Sequence, residues 1–219
     1  QNPLIVRSKR RSIALVIDKH GVLTVRAPYR VPMYFITDFI QDKVSWIVKK
    51  QKDIQARNIK SYTKVYSEGE MFLVLGEAYS LSIEKTSTVM CINKKIIFPE
   101  RFLHDPSRQM TAWYKKLART VMKERLEFYS HLTGWKYTIM KITSAKGRWG
   151  SCSSSGSINF TWRLVMAPQD VIDYVVVHEI AHLVEKNHSV RFWNLVEEVI
   201  PDYVTKKQWL QENGHMLTL

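Results

Sequence analysis

The sequence predicts an α+β protein whose first half is rich in β-strands and whose second half is dominated by helices. Short runs of β-branched and aromatic residues, separated by turn residues, form two blocks over residues 11–27 and 71–98. Apolar residues recur at helical spacing over residues 33–57 and 106–132. Residues 171–184 are apolar on nearly every side and predict a buried central helix.

The N-terminal elements begin with a predicted hairpin. Two β-type runs, Arg11 to Asp18 and Val22 to Ala27, are joined around Gly21. An amphipathic helix is then expected from Met33 to about Arg57. A second block of strands follows it, over residues 71–75, 79–83, 89–93 and 96–98.

The C-terminal elements begin with a long helix that we expect from Pro106 to about Leu132, with Gly134 ending it. Strands are predicted over residues 137–144 and 158–165, and helices over residues 190–199 and 204–211. Ser189 is placed to cap the first of these two helices. The inward side chains expected on the long helix are Met110, Trp113, Leu117, Val121, Leu126 and Phe128.

Length and composition fit one compact enzyme with two subdomains. At 219 residues and 45% hydrophobic content, the chain can bury a substantial core. We expect a basic, β-rich N-terminal subdomain over residues 1–105, which contains one long helix. Residues 106–219 are expected to form a metal-binding catalytic subdomain.

The net charge of +13 is concentrated in the first third of the chain. Residues 1–66 contain 14 Lys and Arg against 4 Asp, whereas residues 67–219 contain 19 against 16 acidic residues. Such a surface can attract nucleic acid or a nucleotide without reading base sequence, or its lysines can simply face water. The basic residues singled out are Arg7, Lys9, Arg10, Arg11, Lys49, Lys50 and Lys52.

The cysteine count and the hydropathy indicate a cytoplasmic protein. Cys91 and Cys152 are too few for a disulfide framework, and neither belongs to a C-x-x-C motif. No apolar run reaches the length of a membrane span, so we expect no membrane association. The first apolar run is interrupted by Arg7, Lys9 and Arg10, so no signal peptide is expected.

The most informative motif is H-E-x-x-H, formed by His178, Glu179 and His182. Residues four apart on a helix lie one above the other, so both imidazoles can bind the same metal ion. His188 follows six residues after His182 and is the candidate third ligand of a catalytic zinc, which leaves its fourth position to water. Glu179 is then placed to act as the base beside that water.

Three functions remain compatible with this motif. Two histidines and a glutamate buried without partners would cost several kcal/mol, which disfavours a purely structural interpretation of these residues. A zinc-activated water can hydrolyse a peptide bond, or a phosphoanhydride bond of a nucleotide. The third possibility is a nucleic-acid-binding protein with a structural zinc, but such a site has no use for Glu179.

Several short motifs in the second half are distinctive in combination. They are Arg148-Trp149-Gly150-Ser151-Cys152, Trp162-Arg163-Leu164, Asp173 to His182, Asn187-His188-Ser189, Phe192-Trp193 and Pro201-Asp202-Tyr203. This combination resembles the YgjP-like family of zinc metallopeptidases, most strongly over residues 141–203. The resemblance implies a zincin-like catalytic core with zinc ligands His178, His182 and His188, the catalytic glutamate Glu179, and a peptide or protein substrate.

Further residues around the motif are candidates for substrate contacts. Arg148 is a candidate for binding a carboxylate, a phosphate or the polarised carbonyl oxygen, or else forms a structural salt bridge. Asn159 lies in the strand before the metal-binding helix, where zincins place the edge strand that binds extended peptides. Cys152 is interpreted as a buried small residue because a fourth protein ligand would close the site. The chain reversal before His188 is expected at Asn187, in the left-handed region.

Overall fold

The computed structural model describes residues 3–18, 21–51 and 64–219. Helices and mixed sheets alternate along these residues, so the α+β class is confirmed. Backbone contacts divide the chain into two compact units, Gln1–Tyr62 and Thr63–Leu219. The subdomain boundary expected at residue 105 therefore falls inside the second unit, where the strands before it and the helices after it share one hydrophobic core.

The first unit contains a three-stranded sheet in the order β1-β3-β2. β2 (Ala14–Ile17) pairs antiparallel with β3 (Leu23–Pro28), which confirms the hairpin. β1 (Leu4–Ser8) pairs parallel with β3 and was not predicted, because its five residues lie next to a charged stretch. A small core forms on this sheet from Val25, Ala27 and Ile36.

The predicted helix after this sheet is interrupted. α1 spans Met33–Asp42, and α2 begins at residue 44 and is described to residue 51. Lys43 separates them because its N–H bonds to the carbonyl of Ile40, only three residues back, at 3.1 Å. A single continuous helix was therefore the wrong expectation, and its last part, residues 52–57, lies outside the described residues.

The second unit begins with a four-stranded sheet that confirms all four predicted strands. Its order is β4-β5-β7-β6, with β4 (Met71–Val74), β5 (Glu77–Glu84), β6 (Met90–Ile92) and β7 (Lys95–Pro99). The turn between β4 and β5 is joined by hydrogen bonds to the segment before the helix that carries the H-E-x-x-H motif. Leu75 and Gly76 donate backbone hydrogen bonds to Val165 and Met166, at 2.9 and 3.1 Å.

Gly76 is required at this turn for two reasons. Its φ of 83° lies in the region that favours glycine, and a Cβ there would lie 2.8 Å from Pro168. Pro168 immediately precedes the helix that carries the H-E-x-x-H motif, so the turn fixes where that helix begins.

The long helix α3 spans Pro106–Thr133, as predicted, and ends at Gly134 with a φ of 73°. Its inward side differs from the prediction at Phe128, which is 51% exposed. Phe128 lies under the guanidinium of Arg125, 5.0 Å from the ring centroid, and so covers the stem of a cation instead of entering the core. The buried stripe repeats every three or four residues and consists of Met110, Tyr114, Ala118, Met122, Leu126 and Tyr129.

A second sheet of three short strands precedes the helix that carries the H-E-x-x-H motif. β8 (Ile139–Thr143), β9 (Gly150–Cys152) and β10 (Ser157–Thr161) lie in the order β8-β10-β9. β10 pairs parallel with β8 and antiparallel with β9, so it is the central strand. The expectation that the strand of Asn159 is an edge strand was wrong. β8 and β9 are the two edge strands of this sheet, and β9 contacts the helix that carries the H-E-x-x-H motif.

Three helices complete the second unit. α4 (Gln169–Ala181) follows a 3₁₀ turn at Trp162–Met166 and is buried on nearly all sides, as predicted. α5 (Val190–Val199) is capped by the Ser189 hydroxyl, which accepts a hydrogen bond from the N–H of Phe192 at 3.3 Å. α6 (Tyr203–Asn213) packs against α4. No helix among the described residues is long and apolar enough to cross a membrane.

Candidate functional site

Three histidine side chains converge at the C-terminal end of α4. His178 and His182 lie one turn apart, with ring centroids separated by 5.1 Å, and His188 approaches both rings to 5.0 and 4.7 Å. One ligand nitrogen from each histidine lies within 4.8 Å of the other two. The Nε2 atoms of His178 and His188 are 3.1 Å apart.

A tight turn returns the chain so that His188 reaches the other two histidines. After His182, the N–H groups of Leu183 and Val184 bond to carbonyls three residues back, at 2.9 and 3.0 Å. This tightening reverses the chain without a left-handed residue. Asn187 does not have a positive φ, so the expected left-handed reversal there was wrong.

The donor set fits a zinc ion. Two nitrogens bound to one tetrahedral zinc at about 2.0–2.1 Å lie about 3.4 Å apart, close to the separation of the His178 and His188 nitrogens. His182 Nδ1 lies 3.0 Å from the Glu185 carbonyl. A protonated Nδ1 donates to that carbonyl and leaves Nε2 free as a ligand, as is usual for metal-bound histidine.

The electrostatics of the histidines also favour metal binding. Burial, together with the charges of His182 and His188, lowers the pKa of His178 to about 3. Burial likewise lowers the pKa of His188. Metal ions bind neutral imidazole, so these shifts keep the two ligands in the form that a cation requires.

Glu179 is buried beside the histidines and faces a glycine of β9. Its side chain is 6% exposed. A Cβ on Gly150 would lie 2.5 Å from Oε1 and 2.6 Å from Cγ of Glu179, so glycine is the residue that leaves room for this carboxylate. Burial raises the pKa of Glu179 to about 8, and the guanidinium of Arg148 acts in the opposite direction.

Glu179 and His178 open into a cavity of about 390 Å³. α4 provides its floor, the chain entering β9 one wall, and α6 the opposite wall. The end of α6 lies close to the first wall, since a Cβ on Gly214 would lie 2.6 Å from Cζ2 of Trp149. The lining residues are Arg148, Trp149, Gly150, Tyr174, Val175, His178, Glu179, Lys207, Leu210 and Gln211.

Arg148 and Asn159 both lie near the cavity, but in different positions. Arg148 lines the first cavity and also a second one of about 270 Å³. Asn159 lines only the second cavity, and its Nδ2 donates to the Ser151 hydroxyl at 3.2 Å. Cys152 is half-buried on β9 and does not belong to the cluster of three histidines.

The carboxylates near the motif have other roles than orienting the histidines. Glu185 contacts His182 through its backbone carbonyl. Asp173 forms a bidentate pair with Arg125 of α3, at 2.5 and 2.9 Å. Lys207 on α6 and Tyr174 on α4 line the cavity but were not predicted, because no sequence pattern shows that α6 faces α4.

The basic first third contains at least one cation with a structural role. The guanidinium of Arg7 donates to the carbonyls of Pro28, Tyr29 and Val31 at 3.2, 2.9 and 2.7 Å. Lys52 lies outside the described residues. Nucleic-acid binding by this surface stays a prediction.

Comparisons with known proteins identify the relatives of the chain. The profile of a family described as YgjP-like, metallopeptidase domain, matches residues 11–213. Among solved structures, the metallopeptidase zymogen abylysin of Pyrococcus abyssi is 22% identical with a TM-score of 0.39, and covers 42% of this chain and 93% of that one. The metallopeptidase zymogen jannalysin of Methanocaldococcus jannaschii is 18% identical with a TM-score of 0.32, over 41% and 92%. No match was found among curated proteins.

Proposed function

The chain belongs to the YgjP-like metallopeptidase family, and on this premise we propose that it hydrolyses peptide bonds with a zinc ion held by His178, His182 and His188. The observation that carries this proposal is the convergence of the three imidazoles beside the buried carboxylate of Glu179, at the floor of a cavity. Three protein ligands leave a position open, which a catalytic zinc requires and a structural zinc does not.

The chemistry assigns one main step to Glu179. When bound, zinc supplies a Lewis acid that polarises the peptide carbonyl and lowers the pKa of water. Glu179 accepts a proton from the attacking water, whose oxygen bonds to the carbonyl carbon while the π electrons move onto the carbonyl oxygen. When the C–N bond breaks, Glu179 passes the proton to the leaving nitrogen. Gly150 allows the carboxylate to occupy this position.

The edge strand β9 supports an extended peptide as the substrate. Within the described part of the chain, β9 pairs with β10 alone, so its outer edge has backbone groups available for another strand. An extended peptide that pairs with this edge would pass Gly150 and Glu179. Arg148 lines both cavities next to β9, where its guanidinium can bind a substrate carboxylate. We assign Asn159 to the second cavity as a further substrate contact.

The test compares products made by the zinc-loaded protein and its Glu179→Gln variant. Both are incubated with a mixed set of peptides and nucleotides, and products are identified by mass spectrometry. We expect peptide cleavage that falls by about 10² to 10⁴-fold in the variant, the range for loss of a general base. Glu197→Gln is the matched control, because Glu197 is exposed on α5 and lines neither cavity.

Two outcomes contradict the proposal. Cleavage at an equal rate by the unsubstituted protein and by Glu179→Gln removes Glu179 from the reaction. Release of phosphate or pyrophosphate from nucleotides, with all peptides intact, replaces the peptidase with the phosphoanhydride hydrolase considered from the sequence.

A further inference from the structure

Lys207 occupies an unusual position on the α6 wall of the cavity. It is half-buried, and it lines the same cavity as His178 and Glu179. Its Nζ lies 4.3 Å from the ring centroid of Trp193, which in turn stacks on His188 with ring centroids 5.7 Å apart. The aromatic ring therefore holds the ammonium group near the ligand cluster.

No ion pair accounts for this cation. The adjacent Lys206 pairs with Asp170 and Asp202 at 2.6 and 2.9 Å, whereas no carboxylate in the described part of the chain pairs with Lys207. Lys207 lines the cavity together with His178 and Glu179, so its charge lies on the same side as the histidine cluster. A cation near these histidines disfavours binding of a divalent metal.

This unfavourable charge is offset if negative charge develops in the cavity during the reaction. Addition of water to a peptide carbonyl places negative charge on the carbonyl oxygen. A donor that is already oriented toward the position of this oxygen stabilises the developing charge without the reorganisation that water requires. The other cavity cation, Arg148, acts on Glu179 from the opposite wall, so the two cations have different neighbours.

We propose that Lys207 is a catalytic residue that donates a hydrogen bond from its ammonium group to the developing oxyanion of the scissile peptide. This role rests on the proposed peptidase function and adds to it a residue outside the H-E-x-x-H motif. The Trp193 ring positions the ammonium without neutralising it, because a cation–π contact leaves N–H groups available for the substrate.

The first test measures binding of two matched peptide inhibitors by calorimetry. A phosphinic peptide carries an anionic oxygen on a tetrahedral centre, whereas a thiol peptide binds the metal through sulfur and lacks that oxygen. We expect Lys207→Met to weaken binding of the phosphinic peptide by about 10²-fold and to leave binding of the thiol peptide nearly unchanged. Lys116→Met, which removes an exposed charge on α3, controls for net charge.

The second test is kinetic. Loss of a contact made only in the transition state lowers kcat and kcat/KM together, so Lys207→Met should reduce both by about 10² to 10³-fold with little change in KM. Lys207→Arg keeps the cation and should restore part of the loss. Zinc content and cooperative unfolding are checked for each variant, and Lys207→Gln replaces Lys207→Met if the latter fails to fold.

The outcomes separate this proposal from the one on which it rests. If Lys207→Met weakens binding of both inhibitors equally, or changes binding of neither, the role of Lys207 is overturned and the peptidase function still stands. Tyr174→Phe removes a hydroxyl donor of α4 that lines the same cavity, and a phosphinic-specific loss in that variant alone also overturns the role of Lys207. If the unsubstituted protein binds neither inhibitor and cleaves no peptide, the peptidase function fails, and the role of Lys207 fails with it.

Discussion

Single residues determine whether the base can reach the substrate, and Gly150 has the most direct effect. This glycine is required for close packing, since the space that a Cβ would fill is already occupied by the Glu179 carboxylate. Glu179 is recognised from a sequence motif, whereas the glycine that makes room for its carboxylate is visible only in the structure.

We expect Gly150→Ala to lower peptide hydrolysis by about 10²-fold while zinc binding is retained, because it displaces Glu179 by an ångström or so. Gly147→Ala is the matched control, since a Cβ at Gly147 meets nothing within 4 Å. Steady-state kinetics and metal analysis of both variants provide the measurement. Equal activity of the two would show that Glu179 tolerates the displacement.

At the scale of residues, sequence spacing predicts which side chains lie together when they belong to the same helix. His178 and His182 share a helix face because they are four residues apart, and the structure brings His188 to them. The conformation of Asn187 was predicted wrongly because a tightened helix end reversed the chain without a positive φ. Lys207 was not identified, because its role depends on packing between two helices that are distant in sequence.

At the scale of elements, an ion pair between α3 and α4 holds the helix that carries the H-E-x-x-H motif in position. Arg125 and Asp173 form a bidentate contact with side chains that are 16% and 12% exposed. A buried carboxylate without its partner is strongly unfavourable, because it has lost both water and its counter-charge.

Arg125→Met should therefore lower the free energy of unfolding by about 3 kcal/mol, the usual cost of breaking a buried ion pair. Replacing both residues, Arg125→Met with Asp173→Leu, should recover most of that loss because no unpaired charge remains. Denaturant unfolding of the three proteins measures both effects. If the double variant is no more stable than Arg125→Met, the pair stabilises the fold by some means other than its charge.

The hairpin and most strand positions were predicted from sequence, whereas the edge position expected for the strand of Asn159 was wrong. The four strands of the first sheet of the second unit lie where turn residues and β-branched residues indicated. The order of β8, β10 and β9 depends on long-range contacts, which local patterns do not encode. β9 has only three residues, in a segment rich in glycine and serine, so no alternation of apolar residues marks it as the edge strand.

At the scale of the whole molecule, the proposed catalytic site belongs to the second compact unit. The ligand cluster, Glu179 and both cavities lie within residues 143–211. The boundary expected at residue 105 was drawn from the change from strands to helices. The strands before residue 105 and the helices after it contribute side chains to one hydrophobic core, and a boundary drawn from element types cannot show this.

The central claim is that three histidines hold one catalytic zinc while Glu179 acts on water. The most direct measurement titrates zinc into the metal-free protein and follows bound zinc and peptide hydrolysis in the same samples. The account predicts that hydrolysis rises with bound zinc and saturates at one ion per chain. It predicts that Glu179→Gln binds that ion without hydrolysis, and that His188→Ala binds zinc orders of magnitude more weakly. Hydrolysis that is independent of zinc, or full zinc retention by His188→Ala, would contradict it.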